Sequence, residues 1–522
     1  MRFRRIAIID GYTDEPGGLG VPPYLDVYAR YIAGSIWLAD KTIPVHYYTI
    51  DIIRRDLKSY TRRLNNYDLV IIIAGVVVPG RYLGGKPLEP NELMFLLRTL
   101  RRPFKVLVGP AAKWGLGWAG GRPAYPPRSF LRAGADVLVT GDPEEYVYNL
   151  LIRGEERAEP WRIRENYDFV DKVSVKGAPI IRQHPNYGRN LVIELETYRG
   201  CARWITGGCS FCVEPLRGRP ISRQSSGIVS EVEALYNMGA RSFRLGRQAD
   251  ILVYGSEELG SSEWPKPNPR ELEKLFYGIR KIAPRLQTLH IDNVNPGTIV
   301  RHAEASIEAL KIIVKYHTPG DVAAFGLESA DPHVASLNNL NVDADTVLEA
   351  VRIINRVGRV RGGNGLPHLL PGLNFILGLP GETRKTYEIN RQVLERILEE
   401  KLLVRRVNVR RLLPLPSTRV FRMRHGVRNR LEKHARSFVY FVRNVFEKEM
   451  LRLVAPSGTI LRGLWIESCS TGYCYARQPG SYPLTVVVKG SYPILSYIPE
   501  VKITRIHSSR SLFGEVLDVK LV

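Results

Sequence analysis

The chain has only five cysteines in 522 residues, too few to staple so long a chain, which excludes a disulfide framework. Long apolar runs are also missing. The longest, at 69–78, is about half of what spans a bilayer, which takes about 20 residues, so no membrane partner is expected. The basic start Met1-Arg-Phe-Arg-Arg5 leads into a short apolar strand with no cleavage-like region, and a cytoplasmic protein is the expectation. Acidic residues are scarce as well: 52 Asp plus Glu face 75 Lys plus Arg, a formal charge of +23. Such an excess favours polyanionic partners, nucleic acid first, with an Arg-rich surface serving only solubility as the plain alternative. Neither low-complexity segments nor internal repeats occur, and the 44% hydrophobic content is that of a folded chain of two to four domains.

Residues 1–152 alternate short buried-type strands, at 5–9, 45–50, 69–74, 106–108 and 137–140, with helical stretches, the pattern of a doubly wound α/β domain. Glycine turns follow several strand ends, where such sheets bind ligands, without forming a phosphate-binding fingerprint. A polar segment, 153–189, reads as a linker. Across 190–425, six strands at 191–197, 242–245, 288–291, 323–327, 373–377 and 404–410 alternate with helical patterns such as 226–238 and 343–357, predicting a (β/α)6 partial barrel with its chemistry on the loops after the strands. A basic helical connector, 426–455, precedes a tail, 456–522, dense in β-branched and aromatic residues, which predicts a small all-β barrel.

Three of the five cysteines crowd into one loop after the first barrel strand: Glu196-Thr-Tyr-Arg-Gly-Cys201-Ala-Arg-Trp-Ile-Thr-Gly-Gly-Cys209-Ser-Phe-Cys212. Soft thiolates select zinc or an iron-sulfur cluster. Structural zinc takes four ligands, whereas no fourth Cys or His lies in this loop and the nearest, His184, precedes the strand. On a 4Fe-4S cubane, three ligands leave one iron open to a cofactor. Zinc and plain thiols stay as the alternatives.

The segment resembles the cluster loop of radical S-adenosylmethionine enzymes, with Phe211 at the aromatic position between the last two cysteines. It departs from the usual spacing in having seven rather than three residues between the first two, a growth that loop entropy tolerates. The resemblance implies a 4Fe-4S cluster on Cys201, Cys209 and Cys212, S-adenosylmethionine on the open iron and an electron donor as partner. Further segments resemble later motifs of that superfamily. Leu245-Gly-Arg-Gln-Ala-Asp250 falls where the cofactor's methionine part is held, implying contacts from Gly246, Arg247 and Gln248. Gly326-Leu-Glu-Ser-Ala-Asp-Pro332 resembles the superfamily's fourth-strand segment and Asn374-Phe-Ile-Leu-Gly-Leu-Pro-Gly-Glu-Thr383 a segment of its methylthiotransferase-like branch, implying nucleoside contacts from Glu328 and Asn374 and a close backbone approach at Gly378. The plain readings are turn glycines at Gly378 and Gly381 and helix caps or ion pairs at Glu328 and Asp292. The catalytic residue stays open.

The N-terminal domain resembles the cobalamin-binding domains that precede many such enzymes. Its first loop, Gly11-Tyr-Thr-Asp-Glu-Pro-Gly-Gly-Leu-Gly20, lacks the histidine that ligates cobalt, leaving a cofactor without that ligand or a domain acting as lid or dock. With no cysteine before Cys201, an N-terminal auxiliary cluster is excluded. The tail resembles a TRAM domain, which implies RNA binding through Lys489, Lys502, Arg505 and Arg510 among aromatics. Arg405, Arg406, Arg410, Arg411, Arg419, Arg422, Arg424, Arg428 and Arg430 precede it as a continuing basic track. Cys469 and Cys474 are open between a disulfide, a redox pair and two ligands of a further site. The expectation is a radical S-adenosylmethionine enzyme that modifies RNA, with tRNA favoured and the transferred group open. The rivals are an RNA-binding protein with a structural metal and an enzyme acting on a small molecule or peptide.

Overall fold

The computed structural model describes residues 3–14, 23–77, 85–117, 120, 122–340, 342–423, 426 and 429–518. Most of the first loop, at 15–20, and Arg424 and Arg428 lie outside the described residues.

Five parallel strands, β1 (Ile6–Asp10), β3 (Val45–Thr49), β4 (Leu69–Ile73), β5 (Phe104–Val108) and β6 (Val137–Leu138), form the first sheet in the order β3-β1-β4-β5-β6. All five residues of β1 and of β4 are buried, as expected of parallel strands covered on both faces. The order reverses between β1 and β4. The crevice at such a reversal opens at the carboxyl ends of the strands, here beside Gly75 and Gly109, both at positive φ.

The N-terminal region is not a separate module. Strand β2 (Tyr24–Leu25) leaves the first sheet and pairs in parallel with β7 (Val192–Glu196) of the second. Asp26 then caps helix Val27–Ala39, accepting from the Val27 and Tyr28 amides. The segment expected as a linker is also built into the fold. It forms helix Asp168–Lys176 and a 3-10 turn, Ala178–Gln183, and buries Val170, Val173, Ile180 and Ile181. Its apolar positions are few, and Trp161, Ile163 and Val175 remain exposed. Helices Val27–Ala39 and Asp168–Lys176 cross where a Cβ on Gly34 would overlap the Val173 carbonyl and one on Gly177 would overlap the Arg30 carbonyl. Gly34→Ala is therefore expected to cost about 1–3 kcal/mol through overpacking, read as a lowered denaturant midpoint with an unchanged slope.

A two-rung hairpin, β8 (Tyr198–Arg199) with β9 (Ile221–Ser222), closes the base of the cysteine loop. The second sheet runs β11-β10-β7-β2 with β10 (Ser242–Gly246) and β11 (Thr288–Ile291). A third runs β12-β13-β14 with β12 (Asp321–Glu328), β13 (Leu369–Leu377) and β14 (Arg406–Arg411). These strands are parallel within each sheet, and a parallel bridge from Asn293 to Ala324 joins the two. Strand β14 is a free edge.

The tail is a closed five-stranded barrel, β15 (Ile460–Ser470), β16 (Tyr473–Arg477), β17 (Thr485–Lys489), β18 (Tyr497–Ser508) and β19 (Ser511–Asp518), in the order β15-β16-β17-β19-β18. Its core includes Leu461, Leu464, Val486, Val501 and Leu512. Cys469 and Cys474 face each other across β15 and β16 and form a disulfide, one of the three roles open in the sequence. The 478–484 turn packs back on the central sheets. Ser481 donates its amide to His290 Nδ1 at 3.1 Å, and Arg405 Nη2 donates to the Tyr482 carbonyl at 2.7 Å. Among the described residues no helix is long and apolar enough to cross a membrane.

Candidate functional site

The cysteine loop leaves β7 through the β8 rung and Gly200, whose φ of 95° turns the chain. The residues that lengthen the spacing between Cys201 and Cys209 fold as a 3-10 turn, Ala202–Thr206, ended by Gly207 and Gly208 at φ 76° and 59°. The extra length is thus a compact local turn. The segment after β12 clamps it. Asn339 Nδ2 donates to the Gly208 carbonyl at 2.9 Å, the Ser210 amide donates to the Asn338 carbonyl at 2.9 Å, and Asn338 Nδ2 donates to the Pro380 carbonyl at 2.9 Å. Phe211 is half-buried against an apolar cluster with Val334, Leu379, Leu412 and Val420.

All three thiols are partly buried and free. Burial pushes Cys201 up to about 12 and Cys209 up to about 11, and likewise raises Cys212. Neighbouring thiolate charge adds to the rise at each of Cys201 and Cys212, so the three sense one another. Arg203 opposes the rise at Cys209, donating from Nη1 to its Sγ at 3.3 Å while Nε holds Glu263 at 2.9 Å. Protonated in isolation, such thiols ionise when a metal's charge is supplied. Among the described residues no three His, Cys, Asp or Glu side chains converge closely enough to hold a single metal ion.

The other predicted residues fall at neighbouring strand ends. Gly246 ends β10 where a Cβ would overlap the Glu194 carboxylate. Arg247 follows at φ 62° and turns toward the N-terminal segment, lying over the Tyr28 ring at 4.8 Å and 3.5 Å from Asp26. Gln248 is buried, donating to the Leu245 carbonyl at 3.2 Å. Glu328 ends β12 at φ 61°, beyond a bulge at Gly326, close enough for its charge to raise Cys209. Asn374 pairs with Gly326 in register and donates to the Phe325 carbonyl at 3.0 Å. The Gly378 amide donates to Glu382 Oε1 at 2.7 Å, and Tyr387 OH to Glu382 Oε2 at 2.6 Å. Glu382 therefore closes its own turn.

Burial lifts Glu328 to about 8, partly offset by Arg410. A carboxyl raised above its unfolded value contributes stability that is complete below about pH 4.5 and is lost as pH rises through about 8. Glu328→Gln is therefore expected to leave the unfolding midpoint little changed near pH 5 and to raise it near about pH 9, measured by thermal unfolding across that range.

Sequence reasoning missed a buried ion network under the loop. Arg164, in the expected linker, reaches Glu196 at 2.8 Å and Glu144 at 2.6 Å, while Arg199 reaches Asp142 at 2.7 Å. Asp142, at a turn read as ligand-facing, is thus engaged in ion pairs. These partners are 20 to 57 positions apart, and no local signal marks them.

Just past the last cysteine, Val213, Glu214 and Arg217 line a cavity of about 1590 Å³ that is also bounded by the carboxyl edge of the first sheet at Gly75 and Trp114, Arg247, the whole of β14, the helical connector and the tail barrel. No family model matches the chain. Among solved structures, the cobalamin-dependent S-adenosylmethionine radical enzyme OxsB matches with a TM-score of 0.52 and 12% identity, over 84% of this chain and 55% of OxsB. The chain thus shares a mixed α/β fold with that enzyme, and carries a closed barrel at its C-terminal end. The chain is 40% identical over 524 residues to an uncharacterized protein of Methanocaldococcus jannaschii, covering 99% of this chain and 94% of that protein. It is also 40% identical over 518 residues to one of Archaeoglobus fulgidus, covering 99% and 91%. It belongs to the family of these two archaeal proteins.

Proposed function

We propose that the protein is a radical S-adenosylmethionine enzyme acting on RNA, with tRNA the favoured substrate. The observation that carries this reading is the clamped three-thiol loop, with Glu328 near enough to Cys209 for its charge to act there and Asn374 on the neighbouring strand, while Val213, Glu214 and Arg217, just past the last cysteine, line a large cavity. The donor set fits a 4Fe-4S cluster: three soft thiols on one rigid loop, electrostatically coupled yet spread wider than a single ion accepts. Held by these three thiols, a cluster would supply one-electron reduction of S-adenosylmethionine and so radical hydrogen abstraction from the substrate. An external electron donor is implied.

Cys201, Cys209 and Cys212 hold the cluster. Phe211 and the Asn338–Asn339 clamp fix the loop, and Arg203 favours the Cys209 thiolate. Gly246, with the main chain of Arg247 and Gln248, stands at the end of β10 for the methionine part. Asn374 and a protonated Glu328 offer donors to the nucleoside, with Gly378 leaving room at the end of β13. The carboxyl edge of the first sheet faces the same cavity, as a cobalamin dock would. The lining residues include no histidine among those described, so that cofactor would bind without a protein imidazole.

RNA is favoured by the +23 charge and by the TRAM-like tail. On its surface Arg505 lies 4.3 Å over the Phe513 ring, Tyr473 is 43% exposed beside Phe513, and Lys489 and Lys502 are exposed, a stacking-plus-charge surface. Binding of tRNA that weakens steeply with salt is expected. Absence of binding at low salt would instead favour a small substrate.

A further inference from the structure

The amino end of β14 lies opposite the strand ends that carry the cysteine loop, because the central strands are parallel within each sheet and across the bridge that joins the sheets. There the cavity carries unbalanced charge. Among the described residues nine Lys or Arg side chains line it against three Glu. Each of those Glu is already engaged: Glu89 with Lys86 at 2.6 Å, Glu214 with Arg217 at 3.0 Å and Glu447 with Arg510 at 3.0 Å. Two adjacent guanidiniums, Arg405 and Arg406, make no direct ion pair among the described residues; Glu447, bonded to Arg510, is the one carboxylate close enough for its charge to act on both, leaving three guanidiniums around one carboxylate. Arg405 donates one bond to the Tyr482 carbonyl, while its buried Nε has no hydrogen-bond partner among the described residues. Arg406 lies 4.1 Å over the Tyr482 ring. Its stem crosses Gly372, where a Cβ would come 3.1 Å from Arg406 Cγ and 2.8 Å from Val322, so the absence of a side chain there makes room for it. Burial and the neighbouring Arg406 push the Arg405 guanidinium down to about 10, and the Glu447 charge offsets this only in part.

Uncompensated buried charge is costly, and a pair of guanidinium forks matches tetrahedral oxyanions bidentately. One carboxylate would neutralise only half of the pair. We propose that Arg405 and Arg406, backed by Arg510, form a phosphoryl-binding subsite at the amino end of β14, which anchors a phosphorylated ligand in the cavity. This deepens the proposed function by naming the chemistry that holds its substrate, and it rests on that reading only for taking the cavity as the substrate chamber.

The test is calorimetric titration of the full-length protein at constant ionic strength with inorganic phosphate, adenosine 5′-monophosphate and adenosine. Phosphate and the monophosphate are expected to bind and adenosine not. Arg405→Gln and Arg406→Gln are each expected to weaken binding about tenfold or more, the worth of a charge-assisted bond. Arg406→Lys, which keeps charge but loses the fork, should fall between. Arg384→Gln removes one positive charge from an exposed helix position, 73% exposed, and should change nothing. Short RNA with a 5′-phosphate or a 5′-hydroxyl then identifies the source: a preference for the former marks a terminal monoester, equal binding of both a backbone diester. Absence of phosphate binding, or equal weakening by Arg384→Gln, overturns the proposal. Because binding is read without turnover, its failure leaves the proposed radical chemistry standing, and failure of cofactor cleavage leaves the subsite standing.

Discussion

Cys209→Ala is expected to reduce 5′-deoxyadenosine formation to background in protein reconstituted anaerobically with iron and sulfide and assayed with dithionite and S-adenosylmethionine. The loop supplies three thiols, and removing one leaves two on a group that needs three. Cys201→Ala and Cys212→Ala should do the same. The thiols are raised by burial, to about 12 at Cys201 and about 11 at Cys209, and ligation requires their deprotonation, so cluster assembly should be more complete as pH rises. Arg203 makes a graded version of the test. Its guanidinium holds Cys209 Sγ, the Asn339 carbonyl at 2.9 Å and Glu263 at once, an outer partner of the kind whose loss costs about 10–100-fold in metal affinity. Arg203→Gln should therefore retain less iron per chain than wild type, with Arg203→Lys intermediate. Product formation by Cys209→Ala at the wild-type rate, or stoichiometric zinc in place of iron in the wild type, would sink the proposed function and bring forward RNA binding with a structural metal.

The largest stability effect is expected at Glu231. Its carboxylate is fully buried on helix Ser225–Asn237 and ion-paired with Arg30 and Arg223, both fully buried, while Arg223 also reaches Asp171 at 2.6 Å. Three segments meet there: the N-terminal helix Val27–Ala39, the helix Asp168–Lys176 and the central domain. Glu231→Ala leaves two cations buried with their shared partner gone and is expected to cost about 3–5 kcal/mol, measured by denaturant unfolding. Amide exchange should rise in Val27–Ala39 first. Burial alone would raise the Glu231 carboxyl, but Arg30 and Arg223 hold it below its ordinary 4.5. Its contribution is therefore present above that value and lost as pH falls through the lowered one, so the gap between wild type and Glu231→Gln should close on acidification. By contrast Arg384→Ala, which breaks an exposed pair with Glu388, is expected to cost no more than about 0.5 kcal/mol. A cost at Glu231 as small as that would show that the network does not hold the segments together.

Much of the candidate site was legible in the chain. The three cysteines stand out because thiols so close in sequence share one loop in any fold, and the short apolar runs before Cys201, Gly246, Glu328 and Gly378 mark strand ends. The tail's strands were legible from their turns and β-branched runs. What escaped was pairing over distance. Arg30, Arg164 and Arg223 look like solvated residues, and only their buried partners show otherwise. Residues 153–189 look like a linker because few of their positions are apolar, yet every one of Val170, Val173, Ile180 and Ile181 is buried. Cys469 and Cys474 admitted three roles until β15 and β16 paired in register.

From the sequence alone follow the local quantities: strand and helix periods, the thiol loop, the excess of positive charge and the all-β tail, all set by residues within one element or one turn. Only the tertiary structure decided that β2 crosses to the second sheet, that the expected linker buries Val170, Val173, Ile180 and Ile181, that Glu328 ends up near Cys209, and that Arg405 and Arg406 face a cavity without a direct ion pair among the described residues. Each depends on which distant groups share a buried space, where desolvation and charge pairing set the energies, and no window of the sequence contains both members of such a pair.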